Sequence, residues 1–212
     1  MSKHPVTEKL AIEGPVGKLE AILERPGEGA LEGAAVVCHP HPQHGRTMHN
    51  KVAHPLARAF VRSGFETLRF TVRGPEGSEG QYDDGIGELD DALAAVEFMR
   101  ARHGAYPLWL AGFSFGAAIA VKAGVATHID GLVSVAPAIS RFAAGLASQP
   151  ECPWLIIQGD ADELVDVEET VTWVDSLEPG PELLIINGAE HFFHGRLTEL
   201  RQAVMEFVAD SQ

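Results

Sequence analysis

The 212-residue chain carries a formal net charge of −14 and is 45% hydrophobic and 22% charged. These proportions are typical of a folded chain and exclude a wholly disordered one, while the negative charge disfavours nucleic acids and anionic membrane surfaces as partners. The length predicts a single domain over residues 1–212. A cytoplasmic protein without a membrane span is predicted, because the sequence has only two cysteines, no signal-peptide pattern and no apolar run of about 18 residues.

The first predicted elements are a hairpin, a buried strand and a helix. Apolar and polar residues alternate over 10–12 and 18–23, on either side of Gly14-Pro15, as they do in two paired antiparallel strands. The continuous apolar run at 34–38 is typical of a strand buried on both faces. Apolar residues at helical spacing predict a helix over 50–62, which completes the first strand–helix unit.

Strands and helices then alternate along the rest of the chain. Strands are predicted at 66–72, 108–111, 132–135, 154–158 and 183–186, and helices at 86–102, 117–126, 167–177 and 197–209. This alternation predicts an α/β fold, in which a mostly parallel sheet is covered by helices on both faces. Ligands of such sheets bind beyond the carboxyl ends of the strands, so the residues directly after each strand are candidates for a functional site. The irregular stretch 74–88 is the longest in the sequence, and long loops often serve a site.

The stretch WLAGFSFGAAIAV places a serine between two apolar segments. Gly112-Phe113-Ser114-Phe115-Gly116 fits the pattern G-x-S-x-G and lies between a predicted strand and a predicted helix, the context that this motif requires. The glycines let the strand and the helix approach closely, while the serine takes a strained backbone conformation with its hydroxyl exposed. Ser114 is therefore the predicted nucleophile.

Two partners are needed to activate this serine, because its hydroxyl attacks only when a base accepts the proton. With this motif the partners follow in the order serine, acid, histidine. His191 comes directly after the last predicted strand and is favoured as the base over His194, which lies nearer the following helix. Several acids follow the strand at 154–158. Asp162 is favoured because it lies far enough along the turn to face the imidazole, and Asp160 is the alternative.

An acyl-transfer site also needs donors for the developing oxyanion. The backbone N–H of Phe115, directly after the nucleophile, is one predicted donor. The second is expected from the loop HPHPQHG at 39–45; prolines have no N–H, so the N–H of His41 is predicted to donate. Three further residues at this end of the sheet are possible substrate contacts: Arg73, Phe113 and Phe192. The alternative role of Arg73 is to fix loops, and the alternative place of the phenylalanines is the core.

Five histidines, at positions 39, 41, 44, 49 and 54, raise the alternative of a metal site. No carboxylate or cysteine completes a ligand shell with the usual spacing, so no metal is predicted. Cys38 precedes the first of these histidines, but it ends a predicted buried strand, where a cysteine is usually inert. The predicted chemistry therefore requires no cofactor.

Five motifs occur in one order along nearly the whole chain: HPHPQHG, Arg73-Gly74, GFSFG, GDADELVD and GAEHFFHG. In this order they resemble the α/β-hydrolase superfamily, and most of all its small uncapped bacterial members, related to dienelactone hydrolase and simple carboxylesterases. The resemblance implies a three-layer fold with an eight-stranded sheet whose second strand is antiparallel, and a triad of Ser114, Asp162 and His191. The sequence leaves only about 18 residues between 135 and 154, too few for a cap domain.

The expected reaction is the hydrolysis of small-molecule, short-chain carboxylic esters through an acyl-enzyme. Dienelactone hydrolase uses a cysteine nucleophile, so a serine at position 114 favours ordinary esterase chemistry. A site without a cap is expected to be open and shallow. A thioesterase or a peptidase on the same triad, and a binding protein with an idle triad, stay as alternatives because a fold does not fix a substrate. The protein is expected to be a monomer or a homodimer.

Overall fold

The predicted hairpin and six later strands join in one sheet, and the described part of the chain also forms six α-helices. The computed structural model describes residues 4–44, 47–75, 77–146 and 148–212. The strands are β1 (Val6–Gly14), β2 (Gly17–Arg25), β3 (Gly33–Cys38), β4 (Phe65–Phe70), β5 (Leu108–Phe113), β6 (Gly131–Val135), β7 (Trp154–Gly159) and β8 (Glu182–Ile186). The helices are α1 (Ala53–Arg62), α2 (Gly87–His103), α3 (Phe115–Ala126), α4 (Ile139–Phe142), α5 (Val167–Asp175) and α6 (Leu197–Asp210).

Across the sheet the strands lie in the order β1-β2-β4-β3-β5-β6-β7-β8. β2 is antiparallel to both of its neighbours, and every neighbouring pair from β4 to β8 is parallel. This arrangement confirms the mostly parallel eight-stranded sheet and the antiparallel second strand that the resemblance implied. The carboxyl ends of the parallel strands meet at one edge of the sheet, which is where the candidate residues follow them.

Helices cover both faces of the sheet. On one face α1 and α6 pack together over a core that includes Phe60, Trp109 and Val204. On the other face α2 and α3 pack over a core that includes Val96 and Ile119. Strands β3 to β7 are buried along their full length, and for β3 this confirms the burial on both faces that its continuous apolar run predicted. The loops at the carboxyl edge therefore extend from a closely packed base.

Three predicted elements are shorter in the structure, and one of them is the helix predicted to residue 177, which ends at Asp175. The helix predicted from residue 50 begins at Ala53, because the side-chain oxygen of Asn50 accepts the N–H of Ala53 at 3.2 Å, ahead of the first turn. The strand predicted to residue 72 ends at Phe70, since the N–H of Val72 donates to the ring of His39. Helix α4 escapes sequence prediction because four residues are too few to show a helical period.

The connection from β6 to β7 carries only α4 within its described residues, 136–146 and 148–153. It therefore holds no cap domain, in agreement with the short spacing of these strands in the sequence. Across the described part of the chain, no helix has both the length and the apolar character needed to span a membrane.

Candidate active site

Ser114 lies in the tight turn between β5 and α3, at the carboxyl edge of the sheet. Its backbone has φ 55° and ψ −117°, a positive φ that residues other than glycine rarely adopt. Hydrogen bonds hold the turn on both sides. The N–H of Ser114 donates to the carbonyl of Val135 at 2.8 Å, and the carbonyl of Ser114 accepts the N–H of Ala117 at 3.0 Å. The strained strand–turn–helix geometry expected of the motif is therefore present around this serine.

Close backbone approach explains why Ser114 is flanked by glycines. A Cβ atom on Gly112 would collide with the carbonyl oxygen of Gly116. A Cβ atom on Gly116 would collide with the carbonyl oxygens of Cys38 and His39, at the start of the loop that follows β3. The second glycine of the motif therefore sets the distance between the serine turn and that loop.

The side chains of Ser114, His191 and Asp162 form one hydrogen-bonded line. Nε2 of His191 lies 3.1 Å from Oγ of Ser114, and Nδ1 lies 2.9 and 3.1 Å from the two carboxylate oxygens of Asp162. An ionised carboxylate only accepts hydrogen bonds, so Nδ1 carries the proton and Nε2 is left as an acceptor for the serine hydroxyl. His191 is 1% exposed, so water does not compete for these contacts.

Several donors hold the carboxylate of Asp162. Its Oδ1 accepts the N–H groups of Leu164 and Val165, each at 2.8 Å, and its Oδ2 accepts the side-chain amide of Gln158 at 3.1 Å. Burial by itself raises the pKa of Asp162, but the hydrogen bonds from His191 and from the two backbone N–H groups outweigh it and lower the pKa below the ordinary value. Asp162 is therefore ionised beside the imidazole at neutral pH.

Two other acids tie the loop after β7 to the loop after β8. Asp160 accepts the N–H of Gly188 through its carboxylate. Glu163 accepts the backbone N–H of His191 at 3.2 Å. The loop that carries the acid and the loop that carries the imidazole are therefore joined by side-chain contacts in addition to the Asp162–His191 pair.

The alternatives that the sequence left open lie apart from Ser114. The side chain of His194 is 66% exposed, and its Nδ1 lies 3.2 Å from Glu190. Asp160 holds the neighbouring loop instead of the imidazole. The structure thus brings His191, and not His194, together with Ser114, and it brings Asp162, and not Asp160, together with His191.

The two predicted oxyanion donors lie on segments that contact each other. Phe115 is the first residue of α3, where helical N–H groups have no acceptor within the helix and the helix dipole favours negative charge. His41 lies in the loop after β3, with its ring centroid 5.2 Å from that of Phe115. Gly45, at the end of the loop motif, lies outside the described residues.

His39 anchors this loop from the protein interior. Its ring is 1% exposed, with Nδ1 2.6 Å from the carbonyl oxygen of Pro40, and Nε2 accepts the N–H of Val72 at 3.1 Å. The ring therefore donates through one nitrogen and accepts through the other, which only a neutral imidazole can do. Burial, the main cause, lowers the pKa of His39 to about 4, although the bond to Pro40 acts in the opposite direction.

We expect His39 to make the stability of the protein depend on pH. In an unfolded chain a histidine titrates near pH 6.5, so between about pH 6.5 and 4 the unfolded state binds a proton that the folded state excludes. The contribution of His39 to the free energy of unfolding is complete above about pH 6.5 and is lost as the pH falls to about 4, with a size on the order of 3 kcal/mol. Urea denaturation across this range should show a flatter pH dependence for His39→Gln than for the wild type.

The control for this prediction is His128→Gln, which removes an exposed histidine at a distance from the loop. This variant should keep the pH dependence of the wild type. If His39→Gln lost stability between pH 6.5 and 4 as steeply as the wild type, the neutral buried imidazole would not be the source of the effect.

Arg73 contacts Asp91 of α2. Its Nη2 lies 2.7 Å from one oxygen of this carboxylate, its Nε lies about 3 Å from both, and its backbone N–H donates at 2.8 Å. Both side chains are buried. The structure therefore gives Arg73 the loop-fixing role that the sequence left open, and the ion pair occupies the guanidinium that was a possible substrate contact.

The two phenylalanines that were possible substrate contacts differ in burial. Phe113 is 0% exposed and lies against His191, with ring centroids 4.9 Å apart, so it supports the imidazole from the core. Phe192 is half-buried, and its ring centroid lies 5.0 Å from that of His191. Of the pair, only Phe192 has surface that a substrate can reach.

A groove of about 1370 Å³ lies between the α4 connection and α5. Two residues of its lining connect it to the candidate site: Pro137 precedes Ala138, whose N–H donates to the carbonyl of Ser114, and Val165 donates its own N–H to Asp162. The three side chains of the hydrogen-bonded line do not belong to this lining. The groove therefore adjoins the candidate site without containing it.

Neither cysteine takes part in the described site. Burial raises the pKa of Cys38 to about 12; burial, with the charge of Asp130, does the same for Cys152. Neither is a thiolate at neutral pH. Among the described side chains, which do not include that of His44, no group of three or more histidines, cysteines and acids is placed to hold a metal ion.

Sequence reasoning missed the residues that support the line of three side chains. Gln158 is the clearest case, because it is 0% exposed and holds Asp162. A single polar residue at the end of the buried run WLIIQG was the available signal. Glu163 and the anchoring role of His39 had no comparable signal, since both depend on where loops meet.

Residues 41–150 match the family described as serine aminopeptidase, S33 (Hydrolase_4). Protein RP471 of Rickettsia prowazekii (strain Madrid E) is 30% identical over 216 residues, which cover 96% of this chain and 90% of that protein.

Two solved structures are similar over nearly the full length of both chains. An α/β serine hydrolase homologue from Coxiella burnetii is 42% identical, with a TM-score of 0.89 and coverage of 94% of this chain and 96% of that one. XC6422 from Xanthomonas campestris, an α/β serine hydrolase without a lid, is 38% identical, with a TM-score of 0.91 and coverage of 99% and 96%. The likeness therefore concerns the whole architecture and not one motif.

Proposed function

Because this chain belongs to the α/β serine hydrolases without a lid, we propose that it hydrolyses short-chain carboxylic esters, with Ser114, His191 and Asp162 as the catalytic triad. The observation that carries the proposal is the hydrogen-bonded line of these three side chains, which starts at a serine in a strained turn. A serine and a histidine without a catalytic role would not need a buried, ionised carboxylate beside the imidazole.

In the acylation step, Oγ of Ser114 attacks the ester carbonyl carbon while Nε2 of His191 accepts the hydroxyl proton. Asp162 stays ionised and stabilises the imidazolium that forms. The carbonyl oxygen becomes an oxyanion that accepts hydrogen bonds from the N–H groups of Phe115 and His41. The carbon–oxygen bond to the alcohol then breaks, and Nε2 returns its proton to the leaving alkoxide.

Deacylation repeats these steps with water. Nε2 of His191 takes a proton from water, which attacks the acyl-enzyme. The second oxyanion then collapses, the bond between the acyl carbon and Oγ of Ser114 breaks, and Nε2 returns its proton to that oxygen as the carboxylic acid leaves. This chemistry needs no metal or cofactor. The reaction needs the tautomer of His191 that carries its proton on Nδ1, and the carboxylate of Asp162 selects this tautomer by accepting that proton in a hydrogen bond.

A short acyl chain is favoured by the uncapped fold, because among the residues that the structure describes no domain encloses the site to cover a long chain. The matched family is described as a serine aminopeptidase, so an amide substrate is the first alternative. A thioester substrate is chemically similar and uses the same oxyanion donors. The alternative that is not an enzyme is a binding protein whose triad does not catalyse a reaction.

We expect kcat/KM to be highest for p-nitrophenyl acetate and butyrate and to fall for the palmitate ester. A fluorophosphonate probe should label the wild type at Ser114, because labelling requires an activated hydroxyl. Matched ester, thioester and amide substrates with the same acyl group then separate the enzyme classes. A strong preference for long acyl chains would overturn the proposed substrate class, and the absence of labelling would favour a binding protein.

A further inference from the structure

The hydroxyl of Tyr82 contacts the loop that is proposed to hold the oxyanion. It lies 2.9 Å from Nε2 of His41. The other ring nitrogen, Nδ1, accepts the backbone N–H of Gln43 at 3.3 Å. An imidazole that accepts through Nδ1 carries its hydrogen on Nε2, so His41 donates to the oxygen of Tyr82.

Aromatic rings enclose the His41 imidazole. The ring centroids of Tyr82, Phe115 and Phe142 lie 4.9, 5.2 and 5.6 Å from that of His41. Phe115 is the residue directly after the nucleophile, and its ring meets that of Phe142 edge to face at 4.8 Å. The ring of His41 thus has a packed environment in which the Tyr82 hydroxyl is a directional contact.

Tyr82 itself is carried by a turn that a buried acid holds. Glu88 is 0% exposed, and its carboxylate accepts the N–H of Asp83 at 2.8 Å and that of Gly85 at 2.7 Å. Burial, followed by the charges of Asp84 and Glu88, raises the pKa of Tyr82 to about 12, so the phenol is neutral. A neutral hydroxyl on a fixed turn is suited to hold a neighbouring ring in one orientation.

We propose that Tyr82 is a positioning residue for the oxyanion hole, acting through the His41 side chain on the placement of the His41 N–H. The inference rests on the proposed function. Without the hydroxyl, the His41 ring loses the directional contact at Nε2, and the backbone of this residue is less closely fixed relative to Ser114 and Phe115. The N–H of His41 meets the substrate oxygen mainly when negative charge develops there, so the loss should appear in the transition state.

The test is Tyr82→Phe, which removes one oxygen and keeps the ring. Removal of a whole oxyanion donor typically costs on the order of 10²–10³ in kcat, so its misplacement should lower kcat about tenfold and leave KM within about twofold. The affinity for a trifluoromethyl ketone, which forms a tetrahedral oxyanion adduct with the serine, should fall by the same factor as kcat/KM. The matched control is Tyr106→Phe, because Tyr106 is the other tyrosine of the chain, is 48% exposed and contacts His103.

A double-mutant cycle with His41→Asn separates the proposed role from a general structural one. This substitution keeps the backbone N–H of residue 41 and should itself lower kcat; Tyr82→Phe should then have no further effect in the same chain. If Tyr82→Phe fails to fold, an unchanged kcat in His41→Asn overturns the proposal, and a lowered kcat with an unchanged KM supports it.

The outcomes distinguish this inference from the proposed function. Kinetics of Tyr82→Phe equal to those of the wild type and of Tyr106→Phe would overturn the positioning role and leave the esterase proposal intact. A raised KM with an unchanged kcat would also overturn it, since that pattern indicates a direct contact with the substrate. A wild type with neither ester turnover nor fluorophosphonate labelling would overturn the function, and the inference with it.

Discussion

Replacement of Ser114 by alanine is expected to lower ester turnover by a factor of about 10⁴ to 10⁶ and to abolish labelling by a fluorophosphonate. The substitution removes the only atom that forms the acyl-enzyme bond, and His191 then has no hydroxyl to deprotonate. Residual activity reflects the oxyanion donors and substrate binding alone. The measurement is the steady-state hydrolysis of p-nitrophenyl acetate, with circular dichroism to check that the fold is retained.

Ser140→Ala is the matched control for this experiment, since Ser140 is an exposed serine on α4. Its turnover and labelling should equal those of the wild type. An undiminished rate in Ser114→Ala would remove the serine from the mechanism and, with it, the proposed function.

The second large effect is expected from Asp162→Asn, with a loss of about 10⁴ in kcat. In the native site Oδ1 accepts two backbone N–H groups, and Oδ2 accepts the amide of Gln158 and faces Nδ1 of His191. An asparagine whose oxygen keeps the backbone bonds turns its NH₂ group toward that Nδ1. The imidazole then carries its proton on Nε2, and a protonated Nε2 can no longer accept the proton of Ser114.

Asp160→Asn provides the comparison, because Asp160 was the alternative acid and an amide oxygen still accepts the N–H of Gly188. Its kcat/KM should stay within about tenfold of the wild type. The proposed assignment of the acid would be wrong if Asp160→Asn lost more activity than Asp162→Asn.

The strand–helix order was predictable in large part because strands such as β3 and β5 are buried on both faces and therefore appear as continuous apolar runs. The ends of the predicted strands then indicated Ser114 and His191, because Ser114 directly follows one predicted strand and His191 lies in the loop after another. The choice of Asp162 over Asp160 depended on the path of a turn, which the structure describes through two backbone N–H groups that bond to Asp162.

Other features were not predictable because they depend on contacts between distant segments. Arg73 follows a strand and carries a charge, as a ligand-binding residue would, but its partner Asp91 lies on α2. Spacing along the sequence does not show that these two side chains meet. The loop at 74–88 was recognised by its length, yet nothing in its composition indicated that Tyr82 would meet the ring of His41.

The contacts between the loops after β7 and β8 have a consequence for the proposed mechanism. Asp160 and Glu163 accept N–H groups of the loop that carries His191, and Asp162 accepts from its ring, so the imidazole is held in place in the absence of a substrate. The rotational freedom of the imidazole is lost once, during folding, and does not have to be lost again in every turnover. Encounter with a substrate then needs to align only the incoming carbonyl, while the proton acceptor is already aimed at the serine.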